Sequence, residues 1–218
     1  AYEIRNCDWS SDVCSSDLFR VLLNMFAGIR RNMTLGFPDH LTKWELSDAF
    51  REAYLKDRKL VPHEIVDDGP VLENVLMGDD IDVTRFPAPV WHERDGVRYI
   101  GTGTYSITRD PEEDWLNAGA YRSMIHDKAS VGILMAAGHH GAIHRDKYFK
   151  RGEPMPVCMV LGGDPLSFYF GGTEAPLGLS PASDRTAILD PSRDWPAVYL
   201  RLAGGESAND QRRNGDRQ

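Results

Sequence analysis

Two stretches of this chain carry residue types that could do chemistry on a bound ligand. The first is Asn117-Ala-Gly-Ala-Tyr121-Arg122. Read as a strand, residues of one parity share a face, so Asn117, Gly119 and Tyr121 point one way and Ala118, Ala120 and Arg122 the other. Small residues at 118–120 let a flat or bulky ligand approach the backbone, and the Arg122 guanidinium can hold a carboxylate or phosphate in a two-pronged grip. An ordinary strand with an arginine at its edge has the same spacing, so both readings stand at this level.

The second stretch is rich in histidine: His126, His139, His140 and His144 are four of the seven in the chain. His140 and His144 are four apart, a metal-capable spacing if a helix has already begun, but no Glu sits between them as in the HExxH pattern. His139-His140 would place imidazoles at a helix N-terminus, beside amides that attract anions; a cap or a packing role explains the same residues. Gly162-Gly163-Asp164-Pro165 and Gly171-Gly172 could cradle phosphate, yet they fit neither GxGxxG nor the Walker pattern, and a tight turn explains them too. Cys158 lies inside an apolar run and reads as an inert core residue.

The elements that must position these groups follow from period and punctuation. Val21–Phe26 is a short apolar run of strand character, and Gly36-Phe-Pro-Asp39 marks a turn. Thr42-Lys-Trp-Glu45 has the spacing of a capping box, and Leu46, Ala49, Phe50, Ala53 and Tyr54 recur at helical intervals. These predict a helix over about Lys43–Asp57. Lys59–Asp82 reads as a short strand, turns and a short acidic helix end. Period-2 runs over Val97–Ile107, Leu116–Ile125 and Ser130–Ala137 predict an antiparallel meander. Gly141–Lys150 reads as a helix ended by Gly152, and Val157–Leu161 as a buried strand. Helix and strands first, then a β-rich section, make an α+β fold.

The two ends differ from this body. Asn6–Leu18 repeats Ser-Ser-Asp, shows no period, and its Cys7 and Cys14 lack the further ligands a structural zinc needs; residues 1–18 read as an anomalous leader foreign to the rest. Residues after Gly204 hold almost nothing apolar to bury and read as disordered. Across all 218 residues, 25 Lys+Arg face 33 Asp+Glu for a net charge of −8, with no basic block, which argues against a nucleic-acid partner. Apolar runs are too short to span a membrane, and three scattered cysteines suit a reducing compartment. The expectation is a cytoplasmic protein.

Four motifs in register resemble the UbiD-type decarboxylases: Asp80-Ile-Asp-Val-Thr-Arg-Phe-Pro87, Asn117–Arg122, His139-His140-Gly141 and Pro156–Pro165, followed by Ala175-Pro-Leu-Gly-Leu-Ser180. The resemblance implies that residues 19–180 are part of a domain that binds prenylated FMN: an N-terminal α/β segment and a mainly antiparallel β meander like the split β-barrel of those enzymes. It implies non-oxidative (de)carboxylation of an aromatic or α,β-unsaturated carboxylic acid. Asn117 and His140 resemble the ligands of a divalent metal, usually Mn²⁺, that ties the cofactor phosphate to the protein. Thr102, Ala120, Tyr121, Arg122, Met135, Ala136, Ala137, His140 and Gly141 resemble cofactor-contacting positions. Arg122 resembles the arginine of a catalytic Glu–Arg–Glu network. A homo-oligomeric full-length parent and a flavin prenyltransferase that supplies the cofactor are further implications.

The resemblance also has an edge. The family continues after Leu-Ser with a glutamate that completes the metal site, where this chain has Pro181, and the two catalytic glutamates beyond it have no match. Glu174 is the nearest carboxylate, but it precedes the expected position. Residues 181–218 therefore read as an unmatched, partly disordered tail, and the chain as an N-terminal fragment that is inactive alone. A non-catalytic flavin- or phosphate-binding domain, or an inactive truncated product, are the competing readings.

Overall fold

A computed structural model of the chain describes residues 7–8, 13–15, 20–22, 24–56, 72–101, 103–113 and 115–173. Three short strands, β1 (Cys7–Asp8), β2 (Val13–Ser15) and β3 (Arg20–Leu22), pair antiparallel in the order β1-β2-β3. Strands of two or three residues are too short to show a period, which is why none was visible there. The expected strand at Val21–Phe26 ends at Leu22, and the following residues turn into helix α1 (Ile29–Thr34).

Helix α2 spans Lys43–Lys56, close to the predicted bounds; Asp57 lies outside the described residues. Its capping box forms as read from the sequence. Glu45 Oε2 accepts from the Thr42 backbone N–H at 2.9 Å, and Thr42 Oγ1 accepts from the Glu45 N–H at 3.4 Å. Asn32 was not singled out, yet it is buried and its Nδ2 donates to the carbonyls of Pro38, Asp39 and Leu41, the last at 2.8 Å. One amide thus closes the turn between α1 and α2. Of the predicted Lys59–Asp82 region, residues 57–71 lie outside the described ones. The rest holds a 3-10 turn at Gly78–Asp80, with a second at Val83–Arg85 capped by Asp82.

The β-rich section is antiparallel throughout but is not one meander. Its strands are β4 (Tyr99–Gly101), β5 (Tyr105–Arg109), β6 (Leu116–Gly119), β7 (Ser123–Ile125), β8 (Val131–Ile133) and β9 (Val157–Val160). They divide into two three-stranded sheets, β4-β7-β8 and β6-β5-β9. The single run read over Val97–Ile107 breaks between β4 and β5, and the run over Leu116–Ile125 breaks at Ala120–Arg122. At each break the chain leaves one sheet for the other. No closed barrel is formed by these strands.

Helices α3 (His140–Lys150) and α4 (Pro165–Gly171) flank the sheets. Gly152, at φ 71°, follows α3 in the left-handed conformation expected of a helix-ending glycine. The sequence reading took Gly162–Pro165 as a turn and missed α4 behind it. Asp164 caps that helix, its carboxylate accepting from the N–H groups of Leu166 at 3.0 Å and Ser167 at 3.2 Å, and Pro165 occupies the first turn. A carboxylate already fills the anion position there, so the loop is no phosphate cradle. Leu166 and Phe170 of α4 pack with Leu35 and Leu46, while Phe168 packs against Tyr105, Ile107 and Leu116 of the sheet. Helix α4 therefore joins the helical and β layers. Among the described residues no helix is long and apolar enough to cross a membrane.

Removing the Leu46 side chain opens a cavity in the helical cluster, whereas removing the Thr42 hydroxyl loses its two bonds with Glu45 at an exposed cap. Leu46→Ala is expected to destabilise by about 2–5 kcal/mol and Thr42→Ala by about 1 kcal/mol in urea unfolding followed by circular dichroism. Equal losses would contradict this packing.

Candidate functional site

The crossing segment Ala120-Tyr121-Arg122 is where the site gathers. It leaves β6, is held by a bond from the Ala120 N–H to the Gly171 carbonyl at 2.8 Å, and enters β7, with Arg122 O accepting from Leu134 N at 3.0 Å. The parity read from the sequence persists through the break: Asn117, Gly119 and Tyr121 are buried, while Ala120 and Arg122 are exposed. Gly101, Thr104, Ala120, Tyr121 and Arg122 line an open cleft of about 190 Å³. Complete small-molecule sites run to about 300–1,000 Å³, so this cleft is smaller than a whole site of that kind. The Arg122 guanidinium lies 5.9 Å from the Tyr99 ring centroid, within cation–π range.

Behind that cleft is a buried junction. Tyr121 is 8% exposed, and its hydroxyl accepts from Asn117 Nδ2 at 3.2 Å and from the Gly141 backbone N–H at 2.9 Å. Gly119 and Gly141 permit this approach: a Cβ on Gly119 would overlap the Tyr121 ring, and one on Gly141 would sit 2.6 Å from its hydroxyl. Asn117 and the first turn of α3, where His140 stands, are thereby drawn to one oxygen. Met135 packs with Tyr121 and Ala142, and Ala136 and Ala137 are exposed on the turn entering α3. Thr102 and Glu174 lie outside the described residues.

Two observations test the fit to an implied flavin and metal. Thr104 lines the cleft with a buried Oγ1 that has no hydrogen-bond partner, an acceptor or donor left for a polar ligand. Both hydrogen bonds of the Asn117 side chain come from Nδ2, to Thr108 Oγ1 at 3.4 Å and to Tyr121. That leaves its amide oxygen, a hard donor suited to a divalent cation. No group of three His, Cys, Asp or Glu able to hold a metal occurs among the described residues. The Asn117 amide oxygen and the His140 imidazole are donor types that a divalent cation accepts.

The other histidine of the i, i+4 pair has a different task. His144 is fully buried, its Nδ1 lies 2.9 Å from Thr108 Oγ1, and its Nε2 lies 3.6 Å from Asp110 Oδ2. Trp115 presses edge-on against both imidazoles, with centroids at 5.2 Å from His140 and 4.4 Å from His144. Burial is the main force on His144 and outweighs the attraction of Asp110, lowering its pKa to about 4, so it is neutral at pH 7. Asp110 is pushed up by burial. The Lys147 ammonium at 2.7 Å and the backbone N–H groups of Glu112 and Glu113 overcome that and bring it down to about 2. Thr104, Thr108 and Asp110 were not read as site residues from the sequence. A polar residue at a buried strand position, as in Thr108, is the signal that could have found them. Cys158 is half-buried and burial raises its thiol pKa, as expected of an inert core residue.

Both groups have folded values below their unfolded ones, so each favours folding at higher pH and loses that contribution as pH falls. His144 loses it between 6.5 and about 4, and Asp110 between 3.8 and about 2. The urea midpoint is expected to drop in both windows, and His144→Phe to flatten only the upper one. An unchanged upper slope in that variant would remove His144 as its cause.

Comparison with known proteins gives this geometry a context. Residues 64–188 match the family model described as UbiD, 3-octaprenyl-4-hydroxybenzoate carboxy-lyase Rift-related domain, a match that runs past Ser180. The chain is 31% identical over 160 residues to the pyrrole-2-carboxylic acid decarboxylase of Pseudomonas aeruginosa, covering 73% of this chain and 32% of that protein. It is 33% identical over 126 residues to the phenolic acid decarboxylase of Sedimentibacter hydroxybenzoicus, covering 54% and 25%. Its fold matches the vanillic acid decarboxylase of Sedimentibacter hydroxybenzoicus in closed form with a TM-score of 0.70 and 27% identity, over 78% of this chain and 37% of that one. It also matches the UbiD-class enzyme HmfF from Pelotomaculum thermopropionicum in complex with prFMN, with a TM-score of 0.65, over 76% and 38% of the two chains; at 22% identity this likeness concerns the fold alone. The chain spans about a third of the length of the first of these relatives. With more than half of its residues inside the family model, and with an α+β fold like those of UbiD-class enzymes, the chain belongs to the UbiD family.

Proposed function

We propose that this chain forms the cofactor-facing wall of a prenylated-FMN-dependent decarboxylase acting on an aromatic or α,β-unsaturated carboxylic acid. The observation that carries the reading is the crossing segment 120–122, where an exposed arginine and an unsatisfied Thr104 hydroxyl line one cleft and the Asn117–Tyr121–Gly141 junction lies directly behind them. When bound, the flavin supplies the electron sink that loss of CO₂ requires. The chain's own residues then have simple tasks. Arg122 holds the substrate carboxylate by charge and paired N–H donors. Ala120 and Gly101 leave room for a flat ring. The amide oxygen of Asn117 and an imidazole nitrogen of His140 would hold a divalent cation, Mn²⁺, that neutralises the cofactor phosphate, and the Tyr121 hydroxyl joins the strand and the helix that carry them. Met135, Ala136, Ala137 and Gly141 shape the entry to α3 beside that phosphate, and Thr102 adds a contact near the flavin.

Two tasks have no holder among the matched residues: the glutamate that completes the cation site, and the glutamates that flank Arg122 and move the proton. On this reading residues 19–180 bind the cofactor, and turnover needs those carboxylates in the same cleft. The working protein is cytoplasmic and a homo-oligomer, and its cofactor comes from a flavin prenyltransferase.

FMN added to the purified chain is expected to bind more tightly with Mn²⁺ than with chelator, read as quenching of flavin fluorescence. Asn117→Ala and His140→Ala should each weaken the Mn²⁺-dependent part at least about tenfold, as loss of metal-site partners does. For activity, the chain is co-expressed with a flavin prenyltransferase and fused to the remaining C-terminal part of the Pseudomonas aeruginosa relative. CO₂ release should appear in the fusion and not in the chain alone. Binding without rescue would make the chain a non-catalytic flavin-binding domain, and no Mn²⁺-dependent binding would remove the reading altogether.

A further inference from the structure

We propose that the buried series Thr108–His144–Asp110 is a positioning device that fixes which way the Asn117 carboxamide faces. The inference rests on the reading of Asn117 as a cation ligand given above and extends it to three residues that touch neither cation nor flavin.

An amide side chain can be turned over at little steric cost, exchanging its oxygen and nitrogen, and only the neighbouring donors and acceptors decide between the two poses. Here the decision starts at Asp110. Its carboxylate accepts from Lys147 Nζ at 2.7 Å and from the backbone N–H groups of Glu112 and Glu113, so it stays ionised and can only accept. His144 Nε2 is buried 3.6 Å from that carboxylate and has no hydrogen-bond partner among the described residues. An unprotonated Nε2 would set its lone pair against the negative charge, so the neutral ring carries its proton on Nε2. Nδ1 is then an acceptor, and the group 2.9 Å from it is Thr108 Oγ1, which must donate. Thr108 has one hydroxyl proton. With that proton committed, its oxygen faces Asn117 as an acceptor only, so the atom 3.4 Å away has to be Nδ2.

The second amide hydrogen goes to a hydroxyl that keeps a proton of its own and can serve either pose, so the choice between them falls to Thr108. Tyr121 OH accepts from it at 3.2 Å and from the Gly141 N–H at 2.9 Å. Both hydrogens of Nδ2 are therefore spent on fixed hydroxyls, and Oδ1 is the free end. The turned-over pose would put Oδ1 against Thr108, whose proton is held by His144. Register makes the chain possible: Thr108 and Asn117 are direct partners across β5 and β6. His144 lies one turn beyond His140 on the same face of α3, so one helix brings both the proposed ligand and the group that orients its companion.

Two measurements decide it. Long-range ¹H–¹⁵N correlation spectra of the chain should show His144 as the Nε2–H tautomer at neutral pH; the Nδ1–H tautomer would overturn the proposal, whatever happens with metal. Mn²⁺ affinity, read by electron paramagnetic resonance titration beside a melting curve, should fall about 10–100-fold in Thr108→Val, the range for partners that orient metal ligands. Thr108→Ser should restore it to within a few-fold, and in an Asn117→Ala background Thr108→Val should add no further loss. A folded Thr108→Val with unchanged affinity would overturn it, as would an equal additional loss without Asn117. If Thr108→Val does not fold, the Ser variant and the tautomer still decide. If the unmodified chain binds no Mn²⁺, the cation reading falls, while the tautomer and two separate, slowly exchanging Asn117 amide protons still judge the orienting chain.

Discussion

The hydroxyl of Tyr121 accepts from the Asn117 amide at 3.2 Å and from the Gly141 N–H at 2.9 Å, and the rest of the site is arranged around that oxygen. One bond reaches into β6, the other into the first turn of α3, so a single atom sets the separation of strand and helix. The ring behind it fills the space between Gly119 and Gly141, where no Cβ fits. It also supplies the back wall of the cleft. The two neighbours of Tyr121 in sequence are thereby turned outward, and exposed Ala120 and Arg122 are consequences of where the ring must go.

Much of this was legible from residue types and spacing. Parity along Asn117–Arg122 placed buried Asn117, Gly119 and Tyr121 apart from exposed Ala120 and Arg122, even though the strand ends at Gly119, while Ala118 packs against the sheet core. The alternation within β6 carries on as far as Arg122, where the chain enters β7. The capping box at Thr42 and the glycine after α3 were legible for a similar reason: each is a local rule, satisfied by residues within a few positions of each other.

What escaped was non-local. A period-2 run says that a segment is extended, not which partner it pairs with, so the division into β4-β7-β8 and β6-β5-β9 had no local signature. Helix α4 was hidden because it is short, and its Asp-Pro start was read only as a turn; the Leu166–Phe170 spacing was the available clue. His144 was seen as half of a metal pair because i, i+4 spacing puts both imidazoles on one face. Only the packed structure separates them, with His140 at the end of the helix and His144 enclosed among Thr108, Asp110 and Trp115.

The burial pattern also separates two electrostatic problems that the proposed function would pose together. A cationic guanidinium and a divalent cation repel, and in a low-dielectric interior at short range that repulsion would be severe. Arg122 is kept exposed, on the cleft side, against the face of Tyr99. Of the proposed cation donors, Asn117 is buried on the strand parity opposite Arg122, and His140 stands on α3, joined to that strand through the Tyr121 hydroxyl. The one buried carboxylate among the described residues, Asp110, is already matched by Lys147 and faces the neutral imidazole of His144. Its influence on Asn117 is therefore directional rather than coulombic: it sets proton positions along the chain without lending charge to the cation. Under the proposed function, a cofactor phosphate would be the natural counter-charge for a metal held by one amide oxygen and one imidazole, and cation and flavin binding would depend on each other.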